Sequence, residues 1–141
     1  MLATKSKDDG SIYPQVVVAI IRDKKGHLLV SQRSLKSKAP GKWQIPGGKV
    51  EPGENHDKAL KREVKEETDM NVELISELIF RFMDKENKFD VYFYQVKACG
   101  EPKVKEPEKL NSEWVYLPID ELRKKDMVPA LSEFIKKVNK I

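Results

Sequence analysis

An α/β domain built on a mixed β-sheet covered by helices is the fold class this sequence predicts, from three observations. Runs of β-branched residues stand before and after one Gly- and Pro-free stretch dense in Lys, Glu, Ala and Leu. A second amphipathic stretch closes the chain, and no internal repeat or linker divides it. At 141 residues the chain has the size of one ordinary domain, expected to bury roughly two-thirds of the surface its unfolded form exposes. Residues 1–11 are polar and are expected to be disordered, leaving residues 12–141 as a single domain.

Residues 15–22, Gln-Val-Val-Val-Ala-Ile-Ile-Arg, read as a buried strand. Asp23-Lys24-Lys25-Gly26 is a turn, and residues 27–33 with Leu28, Leu29 and Val30 give a second strand, so the two are expected to pair as a hairpin. Residues 34–42 form a basic loop. Trp43-Gln44-Ile45 is a brief apolar piece, broken by the turn signals Pro46-Gly47-Gly48 and Glu51-Pro52-Gly53. Asn55 is the expected N-cap of a helix running to about Thr68. Residues 72–83 and 89–98 are strands joined by the polar 84–88, a second hairpin. Residues 99–112, with Gly100, Pro102, Pro107 and many charges, are a long exposed loop. A short strand at 113–117, a short helix beginning at Pro118 and an amphipathic helix over 128–140 complete the chain.

Charged residues make up 35% of the sequence and the mean hydropathy is −0.60, with no apolar run near the ~20 residues a membrane helix requires. No secretory signal is visible in residues 1–10, so the cytoplasm is the expected compartment. The lone Cys99 cannot close an intramolecular disulfide and reads as a small hydrophobe. His27 and His56 read as surface polar residues. The net charge of +4 is compatible with anionic partners without demanding nucleic acid.

The helix at 55–68 carries the chemistry. At about 100° per residue, Glu63, Glu66 and Glu67 share a face with Ala59 and Leu60, while Lys58, Lys61 and Lys65 fall opposite. A solvated, salt-bridged helix interleaves acids and bases on its outer face; this one turns its glutamates toward apolar neighbours. Carboxylates gathered at a core boundary need a hard cation or raised pKa values, and oxygen-only ligands suit Mg²⁺ or Mn²⁺. Such a cation usually shares its shell with phosphate oxygens. Gly47-Gly48-Lys49 permits close backbone approach and adds a cation, and Arg33, Lys36, Lys38 and Lys42 make the preceding loop basic. Together these features point to metal-assisted chemistry at a di- or triphosphate.

At these residues the sequence resembles the Nudix hydrolase family, whose signature is Gly-x5-Glu-x7-Arg-Glu-U-x-Glu-Glu-x-Gly-U, with U bulky and apolar. Here it reads Gly48, Glu54, Arg62, Glu63, Val64, Glu66, Glu67, Asp69 and Met70, every spacing matching, with Asp69 in place of the last Gly. That Gly closes the helix in a left-handed conformation, which Asp tolerates better than most residues. The resemblance extends from the opening Val-Val-Val-Ala-Ile-Ile to Glu113-Trp114-Val115 and is strongest to the MutT-like branch. Residues 101–114 are similar to the loop of plant and animal nucleoside triphosphate diphosphatases.

The resemblance implies an α/β/α sandwich and Mg²⁺-dependent hydrolysis of nucleoside or deoxynucleoside triphosphates to monophosphate and pyrophosphate. It implies Glu66 and Glu67 as metal ligands with the Gly47 carbonyl, Glu63 as a further ligand or a proton acceptor, and Arg62 as the group orienting the carboxylates. Glu54 then supports loop and helix; Arg33, Lys49 and Gly48 meet phosphate; and Glu106, ahead of Glu108, is the loop glutamate that serves metal or water. The implied partner is a small nucleotide, with neither membrane nor nucleic acid, and the chain a monomer or homodimer. ADP-ribose or dinucleoside polyphosphate hydrolysis, and a silent nucleotide- or RNA-binding module, are the alternatives. Trp43, Tyr92, Phe93, Tyr94, Trp114 and Tyr116 are either base platforms or core, and Leu131 lies where MutT-like enzymes read oxidised guanine with an Asn.

Overall fold

The computed structural model describes residues 13–138, so the expectation for residues 1–11 and the last residues of the closing helix lie outside what is described. The strands are β1 (Gln15–Ile20), β2 (Leu28–Gln32), β3 (Trp43–Gln44), β4 (Gly47–Lys49), β5 (Asn71–Leu74), β6 (Phe80–Asp84), β7 (Phe89–Cys99) and β8 (Val115–Leu117). The helices are α1 (His56–Thr68), α2 (Ile119–Leu122) and α3 (Pro129–Val138). β1 runs parallel to β7 and antiparallel to β4, so the main sheet is mixed, as expected. β5 and β6 both lie along the far side of β7, pairing with its C- and N-terminal halves respectively.

Alternation along β1 explains the layers. Val17 and Ala19 enter one core with Ala59, Leu60 and Val64 of α1, while Ile20 joins Phe93, Leu131, Phe134 and Ile135 in a second core under α3. The fold is therefore an α/β sandwich with the glutamate helix on one face of the mixed sheet. α1 starts at Asn55, whose side chain accepts the Lys58 N–H at 2.8 Å, a cap worth about 1 kcal/mol. It ends at Asp69, which is left-handed at φ 65° and donates its N–H to the Lys65 carbonyl at 3.0 Å.

Three expectations are corrected. The expected hairpin of residues 15–22 and 27–33 exists only at its base, where the turn, the Asp23–His27 and Leu29–Ile21 hydrogen bonds and an antiparallel Arg22–Leu28 bridge join the arms; beyond it β2 pairs with β3 and β8 in a separate three-stranded sheet. Gly47-Gly48-Lys49 is a strand paired to Val16–Val18, where a turn was expected. The predicted strand over 72–83 is two strands separated by a bulge. Within it Ser76 Oγ accepts the Gln95 N–H at 3.0 Å in place of a ladder carbonyl, and the chain rejoins β7 at Ile79.

Candidate active site

The close approach of β4 to β1 and α1 begins with the absence of side chains. A Cβ at Gly47 would overlap the Val17 carbonyl and Val18, and one at Gly48 would overlap the Glu63 carboxylate. The glutamate face of α1 is thereby pressed against strand backbone, and the Gly47 N–H donates to Glu67 Oε1 at 3.0 Å. Burial pushes the Glu67 carboxyl up to about 8 against that hydrogen bond, with the charges of Glu63 and Glu106 adding to the rise. Glu63 is also raised, chiefly by burial, with Arg62 opposing.

Arg62 holds the acids in place. Its guanidinium donates to both Glu54 oxygens at 2.6 and 2.9 Å, to the Lys49 carbonyl and Glu63 Oε2 at 3.0 Å, and to Glu66 Oε1 at 3.4 Å. These bonds keep Glu54 ionised, its pKa lowered to about 2, and lock the β4–α1 connection to the helix.

A cleft of about 410 Å³ opens over this arrangement, with Glu63, Glu67, Glu106, Arg33, Gly48 and Lys49 in its wall. Glu106 comes from the 99–112 loop, tied to Lys109 at 3.2 Å just before a 3₁₀ turn at Pro107–Lys109, while Glu108 is exposed and outside the wall. The loop is docked by Lys103 N–H to the Thr68 carbonyl at 2.8 Å, Lys105 N–H to the Glu67 carbonyl at 3.4 Å and Ser34 N–H to the Lys109 carbonyl at 2.9 Å. Trp114, buried behind it, donates from Nε1 to the Glu67 carbonyl at 3.2 Å. Arg33 is steered by bonds to the Lys38 carbonyl and Gln44 Oε1, both at 2.9 Å.

The three helix glutamates do not share this cleft equally. Glu66 is half-exposed on Arg62 and is not part of the cleft wall. Among the described residues no three acid, His or Cys side chains close on one point as a ready-made metal cage. Lys42 pairs with Asp126 at 2.8 Å, and of the basic loop only Arg33, Ser37, Lys38 and Ala39 reach a cavity wall.

A second cavity of about 620 Å³ adjoins the cleft through the shared residues Arg33, Gln44, Gly47, Gly48 and Lys49. Its far walls are apolar, from Val16, Val18, Phe89, Pro129 and Leu131, and the β6–β7 turn adds Asp84, Glu86 and Asn87. Phe89, with Lys49 Nζ 5.4 Å from its ring centre, is the aromatic that sequence reasoning did not single out. Among the six aromatics that it did, Phe93 borders this cavity but is 1% exposed and stacks on Phe134 at 5.0 Å. Tyr92 is buried and donates to Asp90 at 2.9 Å. His56 is not a surface residue: half-buried beside Tyr92, it bonds Tyr94 at 2.6 Å and Gln15 at 2.8 Å, and burial lowers its pKa.

The sequence profile of the NUDIX domain matches residues 12–138. The chain belongs to the NUDIX domain family. It is 30% identical over 131 residues to the 8-oxo-dGTP diphosphatase of Escherichia coli (strain K12), an alignment covering 90% of this chain and 97% of that protein. Over a shorter stretch of 51 residues, 36% of this chain and 38% of the relative, it is 47% identical to a CTP pyrophosphohydrolase of the same organism. Its fold is similar to the crystal structure of a MutT NUDIX hydrolase from Burkholderia pseudomallei (TM-score 0.77, 26% identity, 89% of this chain and 97% of that one). It is likewise similar to that of a MutT protein from Methanosarcina mazei Go1 (TM-score 0.72, 27% identity, 92% and 95%). This NUDIX protein is a hydrolase of phosphoric anhydrides, and no helix among the described residues is long and apolar enough to cross a membrane.

NUDIX hydrolases generally use divalent cations. The donor set at the cleft fits one: Glu63, Glu67 and Glu106 offer only oxygens, and the buried Glu67 carboxylate has a single N–H facing it.

Proposed function

We propose that this NUDIX hydrolase cleaves nucleoside or deoxynucleoside triphosphates, oxidised or modified bases included, to the monophosphate and pyrophosphate with Mg²⁺, Mn²⁺ serving as a substitute. The observation that carries the reading is the meeting of Glu63, Glu67 and Glu106 with Arg33 and Lys49 in one cleft. Glu63, Glu67, Glu106 and the Gly47 carbonyl are the groups that would hold the cation, and Glu66, outside the cleft wall, would join them only by turning from Arg62. When bound, a divalent cation neutralises charge on phosphate oxygens and acidifies a water that attacks phosphorus.

The chain's own residues do the rest. Arg33 and Lys49 bind the phosphates, and the Gly48 backbone lets them lie close to the strand. Arg62 orients Glu63 and Glu66 through charge-assisted hydrogen bonds. Glu63, should it not ligate, takes the proton of the attacking water at a carboxylate oxygen. The substrate is a small nucleotide, with no membrane or nucleic-acid partner, and the protein works in the cytoplasm as a monomer or homodimer.

Product analysis of the purified protein with Mg²⁺ tests this, using canonical, oxidised and methylated triphosphates, ADP-ribose and a dinucleoside polyphosphate. Monophosphate plus pyrophosphate is expected from triphosphates. Glu67→Gln is expected to lose at least about 10³-fold in turnover, since it removes an oxygen ligand, while melting no lower than wild type. A folded Glu67→Gln protein with wild-type rate overturns the assignment, and turnover of ADP-ribose or the dinucleotide alone replaces the substrate class.

A further inference from the structure

The second cavity has one polar side that the reaction does not use. Its C-terminal wall, Val128–Leu131, contributes only apolar side chains, and its other polar residues sit toward the phosphate cleft or the 34–42 loop. The β6–β7 turn supplies the remaining polar side chains. Asp84, 7% exposed, accepts the Asn87 backbone N–H at 3.0 Å on one carboxylate oxygen and the Asn87 Nδ2–H at 2.9 Å on the other. A carboxylate has about four lone-pair sites, so acceptor capacity remains after these two bonds. Because the Asn87 amide nitrogen gives one hydrogen to Asp84, the amide group is fixed with its Oδ1 left to accept and one N–H left to donate. Glu86 adds a third acceptor. Asp84 and Glu86, the two carboxylates of this turn that line the cavity, thus offer acceptors only, while Asn87 offers both an acceptor and its second amide N–H.

A pair of carboxylates closing an apolar slot discriminates by chemistry. A base amino group placed against it is satisfied, whereas a carbonyl oxygen meets like partial charge and loses its hydration without compensation. Building on the triphosphatase reading above, we propose that Asp84, with Glu86 and Asn87, is the base-selecting element. It takes an exocyclic amino group, so that amino-bearing bases are preferred over their oxo or unsubstituted counterparts.

The test compares matched pairs differing at one amino group: CTP with UTP, ATP with ITP, and GTP with ITP. Each is measured as kcat/KM and, independently of turnover, as the Kd of the corresponding monophosphates by calorimetry. At least one pair is expected to favour the amino-bearing member by about tenfold or more. That ratio should fall toward one in Asp84→Asn, which turns an acceptor into a donor. Asn87→Leu, at an exposed position, should reduce the same ratio and serves as the test if Asp84→Asn does not fold. Ratios near one for every pair in the wild-type protein, or a preference unchanged in the variants, overturn the proposal. Amino-selective monophosphate binding without triphosphate turnover would sink the diphosphatase reading and leave base selection standing; turnover without selectivity does the reverse.

Discussion

The two ends of the binding cleft are built in opposite ways. The end proposed to take phosphate is charged, and its acidic side is drawn from one run of sequence: Glu54, Arg62, Glu63 and Glu67 sit within one loop and one helix, with Arg62 bonding Glu54 and Glu63, the Gly47 N–H holding Glu67, and Arg33 and Glu106 arriving from other segments. The end proposed to take the base is mostly apolar and assembled from β1, β4, the β6–β7 turn, β7 and the start of α3, which meet only in the folded chain. Chemistry that must be held to fractions of an ångström is carried by local hydrogen bonds, while selection of what enters is left to surfaces that change one segment at a time.

The largest expected effect exploits the burial at the phosphate end. Glu67 is raised to about 8 in the fold against an ordinary 4.5, so the folded protein holds its proton more tightly than the unfolded chain. Its favourable contribution is full below pH 4.5 and is lost as pH rises through 8, at a cost of a few kcal/mol at order of magnitude. The metal-free protein should therefore melt lower at pH 8.5 than at pH 6, Glu67→Gln should flatten that slope, and saturating Mg²⁺ should restore the wild-type melting temperature at the higher pH. A slope shared by wild type and variant would mean the carboxylate is more hydrated than its position indicates.

Gly48→Ala comes next. The new methyl meets the Glu63 carboxylate, which must turn away from the cleft. Displacement of a reacting group on this scale costs about a hundredfold in rate. kcat/KM should fall by that amount with little change in KM, and a wild-type rate would show that Glu63 is not part of the machinery. At the other end Phe89→Ala should do the converse: loss of one aromatic wall should raise KM about tenfold and leave kcat within about threefold. If kcat fell instead, the division between the two ends would be wrong.

The same division governs what the sequence disclosed. The Asn55 cap and the Gly- and Pro-free run define α1, and the segregation of glutamates from lysines on its wheel places Glu63 and Glu67 at the cleft, all from spacing within one helix. Glu66, at the edge of that stripe, pairs with Arg62 four residues before it, a contact that the helical spacing contains, and lies outside the cleft wall. The β1–β2 hairpin stops at its base for a tertiary reason: a turn signal shows that the chain reverses, not that its two arms prefer each other over Lys49 or Leu117. Gly-Gly at β4 reads as a turn because its reason for being glycine, contact with Val17 and Glu63, is tertiary. Phe89 and Asp84 escaped notice because nothing local distinguishes a strand residue at a cavity wall from one in the core.

Asp69 is the smallest test and the most discriminating for the phosphate end, since it is the one departure from the family signature. Its left-handed φ of 65° is relieved by glycine, which favours Asp69→Gly. Against this stand ion pairs to Lys65, Lys103 and Lys105 at 3.4–3.5 Å, all at the surface and each worth little. The two contributions nearly cancel, so the denaturant midpoint should barely move at constant m. What the variant decides is whether Lys103 and Lys105 matter to chemistry, because they belong to the loop that brings Glu106 to the cleft. That loop is also held by the backbone bonds of Lys103 and Lys105 to the last turn of α1, which the substitution leaves intact. kcat/KM should therefore stay within about twofold of wild type. A tenfold fall would place the helix cap, through its lysine pairs, among the groups that position Glu106.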